Sequence, residues 1–178
     1  MQKIIIRHDD FDFRMSKDEY LNNHRKFVVA GLIETAVIQF CQNDKMSNIP
    51  LDLAEKMIKD PTWDLQLHGW SHDSYGTMDF NSIIRDISAA IFWFKKVFKK
   101  KPTIWFPPRN ENSTDMQKVA SILGLKIDNE SWDIGKFIRS VKDGTYDGHS
   151  VYYHLWNHDE SPQIDEMINC IKEYANNG

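Results

Sequence analysis

Short apolar runs alternate along the chain with segments whose apolar residues recur at helical spacing. "KIIIR" reads as a buried strand, "SKDEYLNNHRKFVVAGL" as a helix capped by Ser16, and "TAVIQF" as a second strand. "LDLAEKMIKD" predicts a short helix stopped by Pro61, and "WDLQL" a third strand ending at His68. The longest helix runs from Asp79 to about Lys101, with Phe80, Ile83, Ile84, Ile87, Ile91, Phe94 and Phe98 as its core-facing stripe. "TIWF" is a strand ending in Pro107-Pro108, "STDMQKVASILG" a capped helix with Gly124 as its stop, and "LKIDN" another strand. "SVYYHLW" is the last strand and "SPQIDEMINCIKEYA" the closing helix. Strands alternating with helices predict a parallel sheet or barrel of βα units, whose chemistry gathers at the carboxyl ends of the strands.

Composition narrows the class. With 178 residues, and no repeat, linker or low-complexity tract, the chain is expected to be one domain, 1–178, large enough for its own core. Hydrophobic residues at 41% and charged residues at 27% are ordinary globular values. A net charge of -4 argues against a general nucleic-acid binder. Cys41 and Cys170 are far apart and suit buried thiols rather than a disulfide framework or a cysteine-rich zinc site. Three isoleucines after Met1 are too few for a secretion signal and no later run could span a bilayer, so a cytoplasmic protein is expected. Lys95, Lys96, Lys99, Lys100 and Lys101 suit the negative end of the long helix, with a docking patch for an anionic glycan or membrane surface as the alternative.

Polar residues collect at the strand ends: "RHDDFD", "LHGWSH", "WFPPRN", "IDNESWD" and "YYHLWNH". His68 and His72 on a continuous strand would lie roughly 13 Å apart at about 3.3 Å per residue, too far for one ion. Gly69 favours a break into a turn, which brings both imidazoles to one metal. Asp9 and Asp10 would point to opposite faces of a regular strand, whereas at a strand end both can enter one site, and a cation beside them would keep both ionised. Two histidines and a carboxylate leave a zinc-like ion with an open position, the pattern of a hydrolytic site. A second carboxylate could take a proton from water, and His154, from another strand, could protonate a leaving group.

In order and placement these segments resemble the polysaccharide deacetylases, metal-dependent carbohydrate esterases that remove N- or O-acetyl groups from sugars. "RHDDF" matches the two aspartates of the family's Thr-Phe-Asp-Asp-Gly motif, which implies Asp9 as general base and Asp10 as metal ligand. "HGWSH" matches His-(Ser/Thr)-x-x-His, with Gly69 where Ser or Thr is usual, and implies His68 and His72 as metal ligands. "FPPRN" resembles the arginine- and proline-containing third motif, but Phe106 stands where the family has the arginine that orients the base. Either Arg109 does so from another angle or the base is tuned differently, and in both cases the backbone N–H of Arg109 would match the family's oxyanion donor. Gly148 and His154 match the last motif and make His154 the general acid, with His158 as the alternative. The aspartate that tunes the acid falls on Asp128 or Asp133.

The resemblance implies an α/β fold: a single-domain, incomplete (β/α) barrel of about seven parallel strands in compact form. It further implies hydrolysis of an acetyl amide, ahead of an ester, on a sugar or polysaccharide precursor. One divalent metal is expected, zinc first, with Co2+, Ni2+ or Mn2+ as alternatives. Trp70, Trp105, Trp132 and Trp156 could wall a sugar ring, core packing being the role of at least half of them. The rival readings are a saccharide-binding domain without turnover, and a hydrolase of another amide or of a phosphate ester, the last drawing on Asp12 and Asp73 for a second metal.

Overall fold

The computed structural model describes residues 4–42, 45–157 and 159–177. Among them, six helices surround a sheet of seven strands, all parallel, in the order β7-β6-β5-β2-β1-β9-β8. β1 (Ile6–Phe11), β2 (Glu34–Gln39) and β5 (Trp63–Gly69) form its centre, and β9 (Ser150–Tyr153) flanks β1. A small antiparallel pair, β3 (Cys41–Gln42) and β4 (Lys45–Met46), follows β2. On the far side of β5 lie β6 (Ile104–Trp105) and β7 (Lys126–Ile127), and the opposite edge is β8 (Ser131–Asp133).

The two edge strands are consecutive in the chain, which dictates the curvature. Ile127 and Ser131 are four residue steps apart, so their Cα atoms lie within about 14 Å of each other. A flat sheet of this width would hold its edges about 29 Å apart, at six spacings of about 4.8 Å. The sheet therefore curls into a half-barrel, the expected incomplete barrel with seven parallel strands.

Several helices begin where a side chain satisfies their free backbone N–H groups and end where the backbone turns left-handed. Ser16 and Glu19 form a reciprocal capping box on α1 (Lys17–Ala30), and Gly31 stops that helix in the left-handed region at φ 71°. Asp79 caps α3 (Phe80–Phe98) and Ser113 caps α4 (Thr114–Leu123). The α3 helix stops three residues short of the expected Lys101, because Lys99 turns left-handed. Lys99 Nζ then donates to the Lys96 carbonyl and Lys101 Nζ to that of Leu123, so part of the lysine cluster closes helix ends.

Six of the seven strands match the sequence expectation. The seventh, β8, and the helix after it, α5 (Ile134–Lys142), were not expected as elements. Asp133 caps α5 by accepting from the Lys136 N–H. The remaining helices are α2 (Leu51–Lys59) and α6 (Ile164–Asn177). The core lies between sheet and helices, with Phe27, Leu65, Ile83, Ile87, Phe94, Met116, Phe137 and Val151 among its buried residues. Cys41 and Cys170 are buried. Among the described residues, no helix is long and apolar enough to cross a membrane.

Candidate metal and catalytic centre

The carboxyl ends of β1, β5, β6 and β9 frame a cavity of about 290 Å³ lined by Asp9, Asp10, His68, His72, Arg109, Asn110, Tyr152, His154 and Trp156. Strand alternation alone would have sent Asp9 and Asp10 to opposite faces. The backbone resolves this with a bulge. His8 pairs with Ala36 and Phe11 with Ile38, so β1 carries one residue more than β2 across this interval, and Asp10 sits left-handed at φ 53°. A second irregularity falls on β5, where Leu67 pairs with Ile38 and Gly69 with Gln39, leaving His68 as the extra residue. Both strands that carry candidate ligands thus break register at the ligand.

Asp10 Oδ1 lies 3.1 Å from His68 Nε2 and 3.4 Å from His72 Nε2. The three ligand atoms all fall within 4.8 Å of one another. Ligand atoms on one tetrahedral zinc would stand about 3.3 Å apart, so the two distances to Asp10 suit such a site. The proton arrangement points the same way. His68 Nδ1 is 2.7 Å from the Phe106 carbonyl, which can only accept, so Nδ1 carries a hydrogen and donates. A neutral His68 then turns the lone pair of Nε2 toward a carboxylate oxygen, a repulsive contact unless a cation stands between them. Either a second proton or a metal ion would serve.

Electrostatics favour an ionised Asp10 and a neutral His72. Burial alone would raise the Asp10 pKa, but the hydrogen bond and charge of His68, then the charges of His72 and His154, hold it well below the usual carboxylate range. For His72 burial is the largest influence and lowers the imidazole below its ordinary 6.5 against the pull of Asp10, which leaves it available as a neutral ligand.

The turn between the two histidines is held from outside the motif. A Cβ on Gly69 would meet the Tyr75 hydroxyl at 2.7 Å, and that hydroxyl accepts from the Trp70 N–H at 3.0 Å. Tyr75, fully buried against Trp105, occupies the space that a side chain at position 69 would need. The Trp70 carbonyl in turn accepts from the N–H groups of Phe40 and Cys41, tying the turn to the end of β2.

Asp9 is gripped by Arg7. Arg7 Nε donates to Asp9 Oδ1 at 3.0 Å and Nη2 to Oδ2 at 2.5 Å. Arg109 is exposed on the cavity wall with its backbone left-handed at φ 58°. Among the described residues it makes no hydrogen bond or ion pair with Asp9, so its side chain does not take over the orienting task expected of it.

His154 Nε2 is 3.9 Å from Asp10 Oδ2 across the cavity, and its Nδ1 is 3.2 Å from Glu160 Oε2. Burial pulls the His154 pKa down, but the Glu160 hydrogen bond, followed by the charges of Asp9, Glu160 and Asp10, outweighs it and raises the imidazole above 6.5. The carboxylate against His154 is therefore Glu160, which the sequence reading did not single out. Neither Asp128 nor Asp133 takes that place: Asp133 caps α5, and Asp128 is a half-buried carboxyl whose pKa burial raises. His158, the alternative acid, lies outside the described residues.

Other candidates sort by where they point. Trp156 lines the cavity beside His154, at 5.1 Å between ring centres, while Trp105 is fully buried and donates to the His68 carbonyl. Trp70 stacks on Phe40 and Trp132 packs on Tyr146. Asp12 is buried against Arg14, whose Nε donates to Oδ2 at 2.6 Å, and exposed Asp73 accepts from Ser71. Neither joins the Asp10, His68 and His72 cluster, the one candidate metal cluster among the described residues.

The polysaccharide deacetylase family model matches residues 25–127. The chain belongs to the polysaccharide deacetylase family. That match includes His68 and His72 and stops short of Asp9, Asp10 and His154. No curated protein matches the chain in sequence.

Solved structures extend the likeness over the whole fold. A CE4-family pseudoenzyme from Bacillus anthracis superposes with a TM-score of 0.78 at 14% identity, covering 97% of this chain and 61% of its own. A family 4 carbohydrate esterase from Streptomyces lividans, in complex with acetate, gives 0.77 at 13% identity, covering 97% and 89%. A family 4 acetyl xylan esterase from Clostridium thermocellum, in complex with cobalt, gives 0.75 at 14%, covering 99% and 85%. The chain spans about three fifths of the length of the first of these. At such identities the likeness establishes the fold, and since the fold carries both esterases and a pseudoenzyme, activity has to be argued from the site.

Proposed function

We propose that this deacetylase-family protein is a metal-dependent hydrolase that removes an acetyl group, from nitrogen ahead of oxygen, on a sugar or polysaccharide precursor. The observation that carries the reading is the convergence, in one cavity, of an Asp10, His68 and His72 cluster with an oriented carboxylate, Asp9, and a proton-bearing imidazole, His154. Asp10, His68 and His72 would hold one divalent ion, zinc first, with cobalt, nickel or manganese as alternatives. Such an ion, when bound, polarises an acetyl carbonyl and acidifies water.

The protein's own groups supply the rest. Asp9, with two of its roughly four acceptor sites engaged by Arg7, keeps capacity to take a proton from an attacking water. The backbone N–H of Arg109, on the cavity wall, is the proposed donor to the oxyanion. His154 donates through Nε2 to the departing group, since Nδ1 is committed to Glu160. An amine leaves poorly unless protonated, so a histidine whose pKa is raised suits an amide better than an ester. Trp156 and Tyr152 give the sugar apolar surfaces beside the acid.

The test is acetate release from a panel of N- and O-acetylated mono- and oligosaccharides, using metal-stripped protein reloaded with one ion at a time. Release that requires the metal and disappears in Asp9→Asn supports the reading. One ion bound per chain with no release from any substrate would favour the saccharide-binding alternative.

A further inference from the structure

We propose that Arg7 is the positioning residue for Asp9, a guanidinium fork supplied by β1 itself and seated on the ring of Phe106. The inference rests on the reading of Asp9 as the base. Arg7 and Asp9 are two apart on one strand and so face the same side, inside the curl of the sheet. Arg7 is fully buried, and two parallel N–H donors meet the two oxygens of Asp9, the geometry that fixes a carboxylate in plane as well as in position.

The fork is itself held on three sides. Nη1 donates to Asn110 Oδ1 at 3.3 Å and to Ser150 Oγ at 3.4 Å. The Ser150 hydroxyl donates to the Glu130 carbonyl and the Ser131 hydroxyl to Asn110 Oδ1, so both acceptors are fixed in turn. Below, Arg7 Cζ sits 4.5 Å from the centre of the Phe106 ring. Phe106 thereby serves both halves of the site: its carbonyl receives His68 Nδ1–H, and its ring carries the guanidinium that aims Asp9. The ring also shows that a side chain from position 106 reaches the place where the guanidinium lies. An arginine at position 106 would therefore start beside the place that the Arg7 guanidinium fills.

A buried ion pair that merely braced β1 would show the same contacts, so the test moves the guanidinium rather than only removing it. The variants are Arg7→Met, Arg7→Lys, and Arg7→Thr combined with Phe106→Arg. Measurements are kcat and KM on the best acetylated substrate, metal stoichiometry, Tm, and crystal structures read for the Asp9 side chain. Arg7→Met is expected to lower kcat about 100-fold with KM and metal stoichiometry nearly unchanged, and to release Asp9 from its place. Arg7→Lys, which keeps charge but loses the fork, should fall between. The relocated arginine should recover about tenfold over Arg7→Met and return Asp9 to its position.

Arg7→Met with wild-type kcat, or with Asp9 unmoved in its crystal structure, overturns the proposal. So does a loss of kcat that follows the loss of Tm across all three variants. If Arg7→Met does not fold, Arg7→Lys and the double variant decide. If wild-type protein releases no acetate under any metal, the hydrolase reading fails separately, and the crystallographic position of Asp9 still decides the role of Arg7.

Discussion

The protein holds two clusters built from the same residue types, a carboxylate between histidines, and they behave as opposites. At the cavity, Asp10 faces His68 and His72. Behind β1, on the side facing α1, fully buried Glu34 faces His8 and His24: Oε1 is 3.2 Å from His8 Nδ1 and Oε2 is 2.6 Å from His24 Nδ1. The Glu34 hub is closed. Asn23 and Tyr153 also donate to it, Asn23 binds Tyr153 Oη at 2.7 Å, and His24 Nε2 is 2.9 Å from the Thr62 hydroxyl. The Asp10 cluster is open, with each Nε2 turned toward one oxygen on a cavity wall and a backbone carbonyl, rather than a second acid, behind His68. The lesson is that composition does not make a metal site. What separates the two is which ring nitrogen faces the carboxylate and whether the remaining polar capacity is used inside the protein.

The largest expected effect breaks the comparison at the open cluster. Asp10→Ala should abolish stoichiometric metal binding by calorimetry and reduce acetate release to background, with the fold intact by circular dichroism. Glu34→Ala should do the reverse. It removes one partner from a buried charged network and leaves His8 and His24 without it, a change that costs about 3–5 kcal/mol in chemical denaturation. Metal stoichiometry at 25 °C should survive as long as the protein stays folded.

The hub also has a pH signature. Burial raises the Glu34 pKa, but the hydrogen bonds and charges of His24 and His8 outweigh it, and the net direction is down from the ordinary 4.5. A depressed folded-state pKa means that its stabilising contribution is complete above about pH 4.5 and is lost as pH falls through the folded value. The stability gap between wild type and Glu34→Gln should accordingly be widest near neutrality and narrow under acid.

Metal linkage gives the next effect in size. An ion that binds the folded state alone adds about 2.7 kcal/mol at a free concentration of 100 times Kd. Wild type and Glu34→Gln should both gain in Tm on adding metal, whereas Asp10→Ala should gain nothing. A gain in Asp10→Ala that vanished in Glu34→Gln would reverse the assignment of the two clusters.

The sequence reading reached the open cluster and passed over the closed one for physical reasons. Motif order and strand-end placement marked Asp9, Asp10, His68, His72 and His154. His8, His24 and Glu34 come from β1, α1 and β2, and nothing local in the sequence joins them. Arg7 was within reach, since alternation puts it on the face of Asp9, but the third motif drew attention to Phe106 and Arg109 instead. Glu160 is six residues beyond His154, a spacing with no regular periodicity behind it; only a turn brings the two together, with the His154 N–H donating to Glu160 at 2.6 Å. The seventh strand offers no apolar run, since Trp132 stands alone between Ser131 and Asp133, although Ile134, Phe137, Ile138 and Val141 of α5 do carry the helical spacing.

The smallest effect sharpens the comparison at its boundary, where His154 belongs partly to each type. Like the hub histidines it meets a glutamate at Nδ1; like His68 and His72, the candidate ligands, it turns Nε2 toward Asp10. If the Glu160 contact works on His154 as the Glu34 contacts work in the hub, it is an orienting and charge-stabilising bond, and its removal should leave metal binding untouched. Glu160→Gln keeps the shape and can still accept at Nδ1, but removes the negative charge that favours the imidazolium. The His154 pKa should therefore fall, and the protonated form needed as acid should be lost at a lower pH. Measured as kcat/KM against pH, the alkaline limb should move toward lower pH while the acid limb stays in place. An alkaline limb unmoved by Glu160→Gln would mean that a group other than His154 supplies the proton, whereas loss of metal binding in that variant would place His154 with the ligands.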